Sequence, residues 1–306
     1  MNIFRSFEDA RGIRNPVVTT GSFDGVHIGH KTILKRLKSL AELHDGESVL
    51  ITFDPHPRKV LYPETAGKDL KLINSQQEKL ELLSRAGLDN VIIIEFTLEF
   101  SKITSEQFVR DLLHGILNAR VIVVGFNHHF GFNKEGDYKH LWGWQEKYNF
   151  LAEEIPEQEV ENETVSSTKI RKAISEGYIQ RANAYLDHYY IVMGKPLAGH
   201  ASTLNDMPEI YRIAITEECK LLPSPGIYAV SAEMGSFHSK AMALVISNHE
   251  KPMDLFVSFL DKNPMPIDNN MVISFHKKVH GAVNLTDEKY RARILSARDE
   301  ITELIY

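Results

Sequence analysis

The sequence predicts an α/β protein: a parallel sheet with helices on both faces, then a small antiparallel β-barrel closed by a C-terminal helix. Three observations carry this. Up to Leu186, short apolar runs alternate with amphipathic stretches. From Tyr189 onward, short apolar runs follow one another with only glycine and proline punctuation between them. The chain then ends on an apolar stripe at helical spacing. The change of pattern divides the chain into a first domain over 1–186 and a second over 187–306.

The elements follow in order. Val17-Val18-Thr19-Thr20 reads as a strand ended by Gly21, and Ile33, Leu34 and Leu37 recur at helical spacing just beyond. Val49-Leu50-Ile51-Thr52-Phe53, Val91-Ile92-Ile93-Ile94 and Val121-Ile122-Val123-Val124 read as buried strands. Helical patterns lie between them, over Ser75 to Ala86 and Thr104 to Leu117. Ser75 precedes Glu78, and Thr104 precedes Glu106 and Gln107, so both begin on a cap. Leu82 to Gly87 is a helix end with a C′ glycine and no chemistry. Another helix opens at Val165 to Arg171. The barrel strands are Tyr189 to Met193, Tyr211 to Ile215, Gly226 to Ala232, Ala241 to Ile246, Leu255 to Leu260 and Met271 to His276. Thr286, with Asp287 and Glu288, caps the closing helix, whose stripe is Tyr290, Ile294, Ala297, Ile301 and Leu304.

Composition narrows the function class. With 306 residues, 43% hydrophobic and 25% charged, the chain has the profile of a soluble globular protein of two domains. A net charge of −6 argues against a general nucleic-acid binder, so an anionic ligand must meet a local positive site. One cysteine excludes a disulfide framework. The first residues lack an apolar signal-peptide core, and no apolar stretch approaches the ~20 residues that span a bilayer. The expected setting is cytoplasmic, with no membrane and no nucleic acid as partner.

The chemistry concentrates in GSFDGVHIGH, Gly21 to His30. A strand, a tight glycine turn and a helix N-terminus come together there. Unpaired N–H groups and the positive dipole end suit phosphate, and glycines let backbone approach it closely. His27 and His30, one turn apart, share a face and can reach one anion. Two histidines at this spacing are also half a zinc site. The sole cysteine, Cys219, is distant in sequence, which leaves only a poor His–carboxylate set. Phosphate is the better reading.

Three more segments stand at element ends. TFDPHPRKV, Thr52 to Val60, carries Pro55 and Pro57, which stiffen the loop and can form an apolar wall. GFNHHFGFNKEGD, Gly125 to Asp137, has glycines, aromatics and Asn127, suited to a planar, hydrogen-bonding ligand. Its His128 and His129 read as surface loop residues. VSSTKIR, Val165 to Arg171, puts hydroxyls and an arginine at a helix start, where they bind phosphate or simply cap. Arg171, expected in the first turn, opposes the helix dipole, and an anion gives it a reason to be there.

Together, the intact G-x-F-D-G-V-H-x-G-H, T-F-x-P-H-P, G-x-N/D-x-x-F-G and S-S-T-x-I-R elements resemble the prokaryotic bifunctional riboflavin kinase/FMN adenylyltransferase (FAD synthetase) family. The resemblance implies a Rossmann-like nucleotidyltransferase domain and adenylyl transfer from ATP to FMN, giving FAD and pyrophosphate. It implies that Gly21, Phe23, Asp24, Gly25, Gly29 and Ser167 seat the nucleotide. His27 and His30 then hold the phosphates in transfer, and Thr168 and Arg171 grip the leaving end. Pro55, Pro57, Asn127 and Phe130 line the flavin pocket, and Mg2+ accompanies the triphosphate.

The second half departs from that pattern. KLLPSPGIYAV, Lys220 to Val230, matches the family's kinase barrel. Upstream, Met207-Pro208-Glu209-Ile210-Tyr211-Arg212 stands where the family has G-F-P-T-A-N, and Ala201 to Asp206 lacks the expected glycine-arginine pair. Ala282 takes the place of the catalytic glutamate and cannot accept a proton from a riboflavin hydroxyl. The expectation is an adenylyltransferase whose kinase module persists as a fold only. Alternatives are residual kinase activity, a non-catalytic flavin- or nucleotide-binding regulator, or another acceptor such as a pantetheine phosphate, a nicotinate nucleotide or a glycerol phosphate. The two flavin-type loops argue against a changed acceptor.

Overall fold

Alternating apolar runs in the first half fold into parallel strands because each run is followed by an amphipathic helix that returns the chain to the same sheet edge. A computed structural model describes residues 1–126, 128–156, 159–160, 163–197, 209–247, 253–260, 270–285 and 287–304, with backbone alone at 159, 160 and 163. Contacts divide the chain into two compact units. The first is Met1–Leu70 with Lys79–Val165, the second Lys71–Glu78 with Ser166–Tyr306.

The successive elements up to Val165 are β1 (Asn2–Phe4), β2 (Val17–Thr20), α1 (Ile28–Leu43), β3 (Ser48–Asp54), α2 (Pro57–Leu61), α3 (Gln76–Arg85), β4 (Asn90–Glu95), α4 (Ser105–Gln107), β5 (Val121–Gly125), α5 (Tyr138–Tyr148), β6 (Leu151–Ile155), β7 (Glu159–Val160) and β8 (Glu163–Thr164). Helix α4 runs on through π-helical turns over Phe108–His114. The sheet order is β1-β4-β3-β2-β5-β6, every pair parallel. Its central strands are buried on both faces, which is why they read as unbroken apolar runs. On one face Val18, Ile51, Ile92 and Ile122 pack with Phe108, Leu113, Leu141 and Phe150. Helix α1 packs against β2, β3 and β5, burying Leu34, Leu37, Leu40 and Ala41. The strand order reverses between β2 and β5, and open α/β sheets bind ligands beyond the carboxyl ends of the strands at such a point.

The second unit holds α6 (Ser167–Glu176), α7 (Ile179–Leu186), β9 (Tyr190–Pro196), β10 (Tyr211–Ala214), β11 (Gly226–Met234), β12 (Phe237–Ile246), β13 (Asp254–Phe259), β14 (Met271–His280) and α8 (Arg291–Glu303). The six strands close into an antiparallel barrel in the order β10-β13-β12-β11-β14-β9. Closure leaves no unpaired edge, so a small sheet can stand by itself. Ile294, Ala297 and Ile301 of α8 complete a core with Ile227, Ala229, Met242 and Leu244. Thr286 lies outside the described residues; among those described, Asp287 caps the turn before α8 through a bond from Lys289 N of 3.1 Å.

These units do not follow a division at Leu186. Asn183 of α7 donates to Phe275 O at 2.9 Å and accepts from Tyr190 N at 2.7 Å, tying α7 to the barrel. The segment Lys71–Glu78 joins the barrel as well. Leu72 N donates to Cys219 O, and Leu221 N donates to Leu72 O, each at 2.8 Å. Lys220 Nζ, fully buried, bonds Glu78 Oε2 at 2.6 Å and the carbonyls of Ile73 and Ile191 at 2.5 and 2.8 Å. No local pattern in the sequence announces such pairings.

Candidate active site

Gly21–His30 folds as the sequence requires of a phosphate loop, with more strain than the glycines alone imply. Gly25 sits at φ 98°, and Phe23 and Val26 also take positive φ, 47° and 41°. A β-branched residue rarely adopts that region, and such strain concentrates at functional turns. Helix α1 starts at once after His27, which is its N-cap residue but does not cap it through the side chain. The first turn carries no acidic residue, so its N–H groups and dipole face the cleft uncompensated.

The two histidines meet as expected, but through their ring faces. The His27 and His30 rings stack at 3.7 Å, and Phe23 stacks on the other side of His30 at 4.3 Å. Gly29 is part of that geometry, because a Cβ there would lie 3.3 Å from the His27 ring. His30 Nδ1 is buried and has no hydrogen-bond partner among the described residues. Burial, then His27, then the nearby Lys79 ammonium hold the His30 pKa well below 6.5. Lys79 is itself buried, bonding Thr52 Oγ1 at 3.1 Å and Ser22 O at 3.4 Å. A neutral imidazole beside a fixed cation is a good place for an incoming anion.

A cleft of about 510 Å³ opens over these groups at the β2/β5 reversal. Gly21, Phe23, Gly29, His30 and Pro57, all candidate site residues, line it. His27, Asp24 and Gly25 are buried next to them in the loop. Pro55 is exposed and outside the lining, whereas Pro57 begins α2, capped by His56 Nδ1 accepting from Arg58 N. Phe130 is half-buried against Phe108 at 6.1 Å and supports the β5 loop from below. Asn127 lies outside the described residues. Ser167, Thr168 and Arg171 fall in the second unit. Ser166 caps α6 by accepting from Lys169 N, which makes Arg171 the fifth helical residue, in the second turn. The dipole argument for Arg171 therefore fails, and its Nε instead donates to Lys71 O at 2.9 Å.

Several lining residues were not legible beforehand. Phe53, Leu61, Tyr62 and Phe126 add apolar and aromatic wall, and Arg58 and Lys134 add positive charge. His128 and His129, read from the sequence as surface loop residues, also line the cleft, with His129 exposed and His128 half-buried. Lys79 gave no signal, being an unremarked lysine in a helix. Among the described residues no group of three or more His, Cys, Asp or Glu side chains is placed to hold a metal ion.

This cleft therefore offers a positive, strained phosphate loop beside an aromatic wall. A family profile described as FAD synthetase matches residues 10–169. The chain belongs to the FAD synthetase family. The matched span covers the sheet from β2 onward, the Gly21–His30 loop and the cleft lining described above. A bifunctional riboflavin kinase/FMN adenylyltransferase of Listeria monocytogenes is 28% identical over 87% of this chain and 81% of its own length. One of Escherichia coli K12 is 26% identical over 94% and 91%. A Listeria monocytogenes protein named FAD synthetase is 33% identical over 63% of this chain and 77% of its own. A solved chain from Streptococcus pneumoniae, named a macrolide-efflux protein, superposes over the full length of both with a TM-score of 0.87 at 22% identity, which shows a shared fold. Among the described residues, no helix of this FAD synthetase family member is long and apolar enough to cross a membrane.

Proposed function

We propose that this chain transfers the adenylyl group of Mg–ATP to FMN. A phosphate oxygen of FMN attacks the α-phosphorus; a P–O bond forms there and the bond to the β-phosphate oxygen breaks, releasing pyrophosphate and FAD. The observation that carries the reading is the cleft at the strand-order reversal, lined both by the start of α1 and by aromatic side chains. No covalent work falls to the protein, so catalysis is alignment and charge stabilisation. The first turn of α1 and the His27–His30 pair meet the phosphates, and Lys79 adds fixed positive charge beneath. Phe53, Pro57, Tyr62 and Phe126 enclose a planar ring, and Asn127 joins them by resemblance. Ser167, Thr168 and Arg171 take the pyrophosphate end on the same ground. The donor set described above builds no resident metal cage, so Mg2+ enters as the counter-ion of ATP, part of the substrate.

We assign this reaction to residues 1–186 and read 187–306 as a riboflavin-kinase-like barrel without kinase activity. In place of the family's threonine and asparagine, Ile210 is buried in the barrel core and Arg212 pairs with Asp254 at 2.7 Å. Both are committed to packing and pairing. Glu209 and Ala282 are exposed, and Met207, Pro208 and Ala201 to Asp206 lie outside the described residues. The setting is cytoplasmic on this reading, because neither phosphorylated substrate crosses a bilayer unaided. The experiment is one chromatographic assay with Mg–ATP and either FMN or riboflavin. FAD from FMN, with no FMN or FAD from riboflavin, is the expected result. A folded sample that makes no FAD overturns the first assignment, and FMN formed from riboflavin overturns the second.

A further inference from the structure

One polar group in the cleft has no task in the mechanism above. His128, on the loop after β5, lines the cleft, yet its Nε2 is buried and has no hydrogen-bond partner among the described residues. Its ring lies nearly parallel to that of Phe130, 19° between planes with centroids 6.2 Å apart, so the loop presents an aromatic side and a polar edge together. Burial, with a smaller contribution from His129, pulls its pKa down to about 4. At neutral pH the imidazole is uncharged and presents either a donor or an acceptor at Nε2, depending on tautomer. A buried polar atom left unpaired costs free energy in the ligand-free protein. Proteins retain such costs where a ligand removes them.

We infer that His128 is a specificity-determining contact for the flavin, its Nε2 hydrogen-bonding a polar atom on the edge of the isoalloxazine ring. This rests on the reading of the cleft as the FMN site. The apolar part of the same cleft lining supports a ring contact over a phosphate contact. Phe126, Tyr62 and Pro57 are apolar partners for a planar ring, whereas the strained phosphate loop holds the N–H groups and the His27–His30 stack. A neutral imidazole suits a carbonyl or ring N–H better than it suits a phosphate dianion.

The contact predicts two effects of opposite sign. In His128→Phe the flat ring is kept and the unpaired nitrogen is gone. The ligand-free protein should be at least as heat-stable as wild type, while FMN binding weakens about 3- to 10-fold, the range for one lost neutral hydrogen bond. His128→Gln returns an amide to the position and should recover part of the affinity. The Kd for FMN by fluorescence quenching, the Kd for Mg–ATP and the Tm without ligand are measured on the full chain for all three proteins. Weaker FMN binding with unchanged Mg–ATP binding and an undiminished Tm supports the contact. Unchanged FMN affinity in His128→Phe overturns it. So does a loss of Tm and of both affinities together, which marks a structural role. If wild type itself binds no FMN, the reading of the cleft fails first, and that outcome is distinct from the other two.

Discussion

His30 shows how a single residue can be placed by sequence and tuned only by its surroundings. Its spacing from His27 puts both at one helix end, but burial, then His27 and the ammonium of Lys79, lower its pKa. Its pKa is depressed in the free protein, and an arriving phosphate anion favours the imidazolium and raises it. Pyrophosphate should therefore bind with uptake of a proton and tighten as pH falls. Calorimetry in buffers of different ionisation enthalpy reads that uptake, and His30→Ala should remove most of it. The same variant should lower kcat on the order of 100-fold with little change in Tm. Lys79→Met removes the fixed charge, so the His30 resonance should titrate at higher pH by NMR. An unchanged titration would show that Lys79 serves only to hold Ser22 and Thr52. Arg171→Ala tests the other side of the proposal: loss of kcat alone argues for a phosphate contact, whereas loss of Tm alone argues for its bond to Lys71.

The best-read elements are those whose caps and stripes are local. Ser75 and Glu78 exchange bonds of 3.1 and 2.8 Å at the start of α3, and Thr104 and Gln107 form the corresponding box before α4. Thr104→Ala should cost roughly 1 kcal/mol by denaturant unfolding. Glu78 has a second role that its cap position hides. Its other oxygen accepts from Met193 N at 2.8 Å while Lys220 holds the first, so a capping residue also pins the segment Lys71–Glu78 to barrel strands. Breaking one side of a buried pair strands a charge. Lys220→Met should therefore destabilise by about 3–5 kcal/mol, and Glu78→Gln with Lys220→Met should be less harmful than the single change. Equal loss in both would show that the carbonyl bonds of Lys220, and not its charge, hold the segment.

Across the whole molecule, two half-buried histidines should contribute to the acid limit. His128 and His276 both sit at about 4 against an ordinary 6.5, each chiefly through burial. A depressed pKa means the folded state binds fewer protons than the unfolded chain. Their stabilising contribution is complete above about pH 6.5 and is lost progressively as pH falls toward about 4. Tm measured across that window should decline, and His276→Gln should flatten the decline. A Tm independent of pH between those limits would contradict the assignment.

The sequence alone determined the two-part architecture, because period-2 and period-3.6 patterns are local and each strand of the parallel sheet carries its own apolar signature. It also determined the strand–turn–helix loop read as a phosphate site, since glycines, a strand end and paired histidines lie within ten consecutive residues, Gly21 to His30. Tertiary structure alone decided that Lys71–Glu78 and α6 and α7 belong with the barrel. It also turned His128 toward the cleft and put Lys79 beneath the loop. Those facts depend on pairings between residues far apart in the chain, such as Glu78 with Lys220 and Thr52 with Lys79. No local periodicity records a long-range partner, because a buried charge or imidazole is specified by what surrounds it in space and not by its neighbours along the chain.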